Sequence, residues 1–133
     1  MQSNHSSFLR RVLALDAVSS GVMGLAMLSF ASFISQLLNL PVELIRDAGL
    51  VLLPFAAFVG YIASREQPPR AGVWIIIALN VVWVVDSLVL LFMGWAAPNA
   101  LGYAFVIAQA LAVGVFAELE YVGLKKAPAR AAA

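Results

Sequence analysis

The sequence predicts an all-α four-transmembrane-helix bundle with both termini on the same, cytoplasmic side of a membrane. Three observations predict it. Hydrophobic residues make up 63% of the 133-residue chain and charged residues only 11%, where a soluble domain carries about 25% charged residues. The few charges leave long stretches almost empty: residues 12–42 contain only Asp16, residues 48–64 contain none, and residues 71–117 contain only Asp86. The basic residues are placed asymmetrically. Of the 8 lysines and arginines, all but Arg46 fall on one side of a four-span arrangement, and that bias marks the cytoplasmic side.

A spanning helix needs about 20 mostly apolar residues to cross a core about 30 Å thick. Residues 1–8 form a short polar tail, cytoplasmic in this arrangement, and helix 1 covers about 9–30. A secretory signal peptide is the competing reading of residues 1–31, since Arg10 and Arg11 precede an apolar run and then small residues. Asp16 interrupts that run early and the apolar character continues to Leu40, which favours a retained helix. Residues 31–40 form an amphipathic connector. Phe30, Phe33, Ile34, Leu37 and Leu38 recur at helical spacing, while Ser32, Ser35, Gln36 and Asn39 take the other face.

Helix 2 covers about 44–64, with Pro41 suited to the first turn. Pro54 deprives the Leu50 carbonyl of its helical donor and predicts a kink. The stretch 71–117 is too long for one span and breaks at Gly94-Trp95-Ala96-Ala97-Pro98-Asn99. The break gives helix 3 over about 71–93 and helix 4 over about 98–122. Residues 123–133 form a short cytoplasmic tail, and the whole of 9–122 is one transmembrane domain. The aromatic residues agree: Tyr61, Trp74 and Tyr121 fall near the cytoplasmic helix ends, and Trp95 and Tyr103 near the outer ends.

An internal duplication is also legible. Leu13-Ala-Leu-Asp-Ala-Val18 resembles Ile77-Ala-Leu-Asn-Val-Val82, and residues 59–66 resemble 113–120. The chain then reads as two helical hairpins of equal orientation, related by an axis along the membrane normal. Asp16 and Asn80 become equivalent positions.

Composition excludes several functions. The chain has no Cys and a single His, His5. Disulfides, thiolate metal sites and cysteine catalysis are therefore excluded, and so are a bis-histidine haem site and a Ser-His-Asp triad within one chain. No phosphate loop, HExxH or paired-aspartate motif is present. The basic residues are too few and too divided for nucleic acid. No metal, cofactor or catalytic residue is expected, and the chain is not expected to be an enzyme.

What remains is a handful of polar groups inside apolar helices. A charge at the bilayer centre costs about 2.5–3.5 kcal/mol on insertion scales, so it faces protein or water. Asp16, Ser20 and Gly24 share a helix face. Asp16 is either paired with Arg10, Arg11 or Lys125, or is part of an ion, proton or ligand site with Ser20, Asn80 and Glu118. Two facing carboxyl groups cannot both ionise at low cost, so an Asp16–Glu118 pair would hold one proton. Glu120, nearer the helix end, reads as solvated. Arg46 and Asp86 read as a structural intramembrane pair between helices 2 and 3, and Gln109 as an interhelical polar contact.

Three segments carry a resemblance. Leu37-Leu-Asn-Leu-Pro41, Arg46-Asp-Ala-Gly-Leu-Val-Leu-Leu-Pro-Phe-Ala56 and Ala117-Glu-Leu-Glu-Tyr-Val-Gly-Leu-Lys125 resemble a group of small bacterial four-helix integral membrane proteins of unknown function. The resemblance implies a multi-pass protein of the bacterial cytoplasmic (inner) membrane and brings no activity with it. The leading expectation is a non-enzymatic accessory or assembly component whose partners are the lipid bilayer and a homo-oligomer or larger membrane complex. The rival expectation is a small proton- or ion-coupled transporter using intramembrane carboxylates.

Overall fold

The structure is a computed structural model that describes residues 2–94 and 96–127, with side chains described from residue 7 onward. The described residues form five α-helices: α1 (Gln2–Ser29), α2 (Ala31–Leu38), α3 (Val42–Ser64), α4 (Arg70–Met93) and α5 (Ala100–Lys126). Three segments are long and apolar enough to cross a membrane: Ser7–Ser29 of α1, and the whole of α4 and of α5. The α3 helix carries Glu43, Arg46 and Asp47 in its first two turns.

Several boundaries differ from the sequence reading. The polar start is helical from Gln2, because Gln2–Ser7 contains no helix breaker and continues the α1 register. The 31–40 connector is a separate helix, α2, which ends at Asn39 in the left-handed conformation (φ 58°), a backbone state that asparagine tolerates well. Pro41 precedes α3 as its N-cap, and Pro54 lies inside that helix. The last helix begins after Asn99 rather than at Pro98, because the Asn99 side chain accepts a hydrogen bond from the Gly102 N–H at 2.8 Å and caps the helix. At its other end α5 continues to Lys126, past the end at 122 that the sequence predicts. Trp95 and residues 128–133, Arg130 among them, lie outside the described residues.

The packing pairs α1 with α3 and α4 with α5, and α1 joins the pairs through α5. Small residues let α1 and α3 approach closely. A Cβ on Gly49 would lie 3.0 Å from the Gly24 carbonyl oxygen and 3.0 Å from Leu28 Cγ, so a side chain there forces the helices apart. The helix ends bearing Arg10, Arg11, Arg65, Arg70, Lys125 and Lys126 converge, and we call this the basic end. Arg10 Nε donates to the Ala63 carbonyl at 3.1 Å and Arg70 Nη1 to the Leu124 carbonyl at 2.9 Å, tying α1 to α3 and α4 to α5 there. Beneath them Leu9, Leu13, Val59, Ile62, Val73, Ile76 and Leu124 form one core cluster.

The opposite end is closed by α2. Met27, Ala31, Leu38, Leu40, Ile45, Leu52, Ala96 and Val106 form a second core cluster under it. Asn39 Nδ2 donates to the Ala97 carbonyl at 2.7 Å, Asn99 Nδ2 to the Leu37 carbonyl at 2.9 Å, and the Asn99 N–H to the Leu38 carbonyl at 3.1 Å. These bonds fasten the α4–α5 loop to the connector. Elsewhere the exterior is apolar, with Val18, Leu25, Val51, Ile75, Val85 and Leu111 all about half exposed or more. Such an exterior suits lipid better than water.

Candidate functional site

Among the described residues, four polar side chains are buried in this apolar bundle: Asp16, Asn80, Ser87 and Glu120. Three of them meet. Asp16 on α1 is 2% exposed, Asn80 on α4 is 3% exposed and Glu120 on α5 is 0% exposed. Each stands there for a reason of helix phase. Asp16 follows Leu9 and Leu13 on the inward face of α1. Asn80 follows Val73, Ile76 and Ile77 on α4. Glu120 shares a face with Ala117, Gly123 and Leu124 of α5.

The Asn80 amide joins the two carboxyl groups. Its Nδ2 donates to Asp16 Oδ2 and to Glu120 Oε1, both at 2.9 Å. Ser20 Oγ donates to Asp16 Oδ1 at 3.2 Å from one turn further along α1. The shared amide sets the Glu120 and Asp16 carboxyls side by side. The second Glu120 oxygen, Oε2, is buried with no hydrogen-bond partner in the protein. Two carboxyl groups therefore share one amide donor, with one oxygen left over.

No lysine or arginine neutralises the pair among the described residues. Arg10 and Arg70 donate to the backbone carbonyls named above. Lys125 Nζ lies 5.4 Å above the Tyr121 ring and Lys126 Nζ 5.3 Å above the Phe8 ring. The pairing of Asp16 with Arg10, Arg11 or Lys125 is thus replaced by contacts to neutral Ser20 and Asn80. Among the described residues no group of three or more metal-ligating side chains comes together.

The structure brings Asp16, Ser20 and Asn80 into one cluster and leaves Glu118 out of it. Glu118 is exposed on the outer face of α5, and Glu120 takes the inward place. Distance from the helix end pointed to Glu118, but the helical phase decides. Two residues apart on a helix means about 200° of rotation, so Glu118 and Glu120 face nearly opposite ways. The signal that finds Glu120 is the row Val106, Ala110, Ala117, Glu120, Leu124, spaced as the buried face of α5 requires.

Arg46 and Asp86 do not pair. Arg46 is exposed and lines a shallow recess with Phe30 and Phe33. Asp86 is exposed on α4 and lines a different cavity together with Asp47. The pair fails because α3 and α4 are not neighbours along most of their length. Gln109 links α5 to α4. Its Oε1 accepts from Trp83 Nε1 at 2.6 Å, and its Nε2 donates to Ser87 Oγ at 2.9 Å. Ser87 Oγ donates in turn to the Trp83 carbonyl at 2.8 Å, so this second network is fully satisfied.

Comparison with protein-family models, with curated proteins and with solved structures finds no match to this chain.

Proposed function

We propose that the chain is a small, non-enzymatic integral protein of a bacterial cytoplasmic membrane that binds a proton at Asp16–Asn80–Glu120 and uses it in ion-coupled transport. All four long helices cross the bilayer in this reading, with both termini on the cytoplasmic side. The support for that orientation is the basic end, where six lysines and arginines gather beside Ser64, Leu124 and the start of α1. The single observation that carries the proton site is the Glu120 Oε2 atom, buried without a partner beside a second carboxyl group. A proton held between the two carboxyls supplies that missing donor and removes one of two buried negative charges. A metal ion fits less well, because the cluster's one amide turns its N–H groups, not its oxygen, toward both carboxyls.

The test reads the proton directly. In infrared spectra of the protein in lipid, the carbonyl stretch of a protonated carboxyl is expected at neutral pH. It should move on exchange into heavy water and vanish in Glu120→Gln. Proteoliposomes carrying Asp16→Asn or Glu120→Gln should also lose any proton-coupled flux seen with the wild type. A spectrum with no protonated carboxyl, or flux identical in all three proteins, removes the reading.

The second reading is an accessory or assembly component, alone as a homo-oligomer or within a larger membrane complex. It draws on the closed packing around the cluster, where Leu9, Leu13, Val73, Ile76 and Leu124 leave the carboxyls shielded. Purification in native lipid followed by mass spectrometry separates the two, since a stoichiometric protein partner favours the accessory role.

A further inference from the structure

A cavity of about 460 Å³ lies in the half of the bundle away from the basic end, walled by all five helices. That volume falls within the range of about 300–1,000 Å³ usual for small-molecule sites. Its origin is the divergence of α3 and α4. The two helices meet near the basic end, where Ile62 packs against Gly72, and separate beyond it. The inner wall is mostly apolar, with Met23 and Met27 on α1 and Phe105 on α5, and the hydrogen-bonded Ser87 and Gln109 also line it. The rim toward α3 and α4 includes Val51 and Val89, which are 58% and 46% exposed, so the cavity opens sideways to the surroundings of the bundle.

Asp47 on α3 and Asp86 on α4 line this cavity, and both are exposed. No lysine or arginine is among its described lining residues. An apolar slot with two carboxylates and no counter-charge favours an apolar tail under a cationic head, and repels an anionic one. In a bilayer the most abundant molecule with an apolar tail is lipid, and van der Waals contact with the slot replaces contact with other tails.

We propose that this cavity holds an acyl chain of a membrane lipid whose headgroup carries an ammonium group, with Asp47 and Asp86 receiving the ammonium. Asp86 stands seven residues inside the end of α4, about 10 Å along the axis, so the headgroup is drawn below the level of its neighbours. This inference rests on the helices crossing a bilayer. It does not rest on the proton site.

The test uses vesicles of equal parts phosphatidylethanolamine and phosphatidylglycerol. Protein released from them under mild conditions is weighed intact with its retained lipid. The wild type is expected to retain phosphatidylethanolamine over phosphatidylglycerol by about fivefold for each carboxylate. The Asp47→Asn/Asp86→Asn variant should bring the ratio near parity, and Glu120→Gln should leave it unchanged. A second measurement locates the lipid. In a Trp74→Phe/Trp95→Phe background, acyl-brominated phosphatidylethanolamine should quench Trp83 more than brominated phosphatidylglycerol does. Equal retention of the two lipids, a preference that survives the double substitution, or equal quenching overturns the proposal. So does displacement of the retained lipid by a soluble amphiphilic amine at low concentration, which would make that amine the occupant. A Glu120→Gln protein that keeps the lipid preference but shows no loss in the infrared spectrum overturns the proton site alone.

Discussion

Glu118 and Glu120 differ by two positions and by nearly everything else. Glu120 is fully buried beside Asp16 and Asn80, whereas Glu118 is exposed. Glu118→Gln is expected to change thermal stability in lipid or detergent by no more than about 0.5 kcal/mol, as for surface substitutions generally. Asn80→Leu should be far more harmful. It leaves Asp16 Oδ2 and Glu120 Oε1 without their donor, and each lost partner of a buried group costs about 1–3 kcal/mol. The two substitutions can be compared by melting the purified proteins under identical conditions. Equal melting temperatures for Asn80→Leu and the wild type would mean that the amide does not hold the pair together. The rarity of acids inside apolar stretches made Asp16 legible, and its i+4 spacing made Ser20 legible. The choice between two glutamates near one helix end was not legible from depth, because burial at a given depth depends on which way the helix is turned.

At the scale of elements, the long helices follow directly from the apolar stretches, and their ends follow from local chemistry. Asn99 caps α5 and also binds the Leu37 carbonyl, so one residue serves a helix start and an interelement contact. Asn99→Ala is expected to cost at least the ~1 kcal/mol typical of a lost cap, seen as a lower melting temperature and faster proton exchange at Gly102. Gly49→Val is expected to separate α1 from α3, since even its Cβ would meet the Gly24 carbonyl and Leu28 at 3.0 Å. A cysteine cross-link placed between the two helices should then form more slowly than in the wild type. The two residues that the sequence comparison aligns, Asp16 and Asn80, are hydrogen-bonded to each other at 2.9 Å, but α1 packs on α5 whereas α4 diverges from α3. The α1–α3 and α4–α5 pairs make the two largest helix–helix contacts, and α2 lies between α1 and α3 in the chain.

The whole molecule is a bundle with one basic end, a shielded acidic pair in the near half and a side-opening cavity in the far half. Reporter fusions after the N-terminus, in the loop around Gln67 and after Lys126 are expected to report the cytoplasmic side, and a fusion near Asn39 the opposite side. A C-terminal fusion reporting the far side from the N-terminus would remove the four-span arrangement.

The amino-acid sequence by itself determined that this chain is helical and apolar, where its helices break, and which few polar groups must find company. These are local properties: hydropathy, charge spacing and breaker residues act within one segment. Tertiary structure alone decided the company. Arg46 and Asp86 remain apart because α3 and α4 diverge, and Glu120 rather than Glu118 completes the cluster because the rotation of α5 sets what faces inward. In an apolar bundle almost every helix face is hydrophobic enough to be buried, so periodicity discriminates weakly between faces. Close packing at glycines and the pairing of polar groups then settle each helix's rotation.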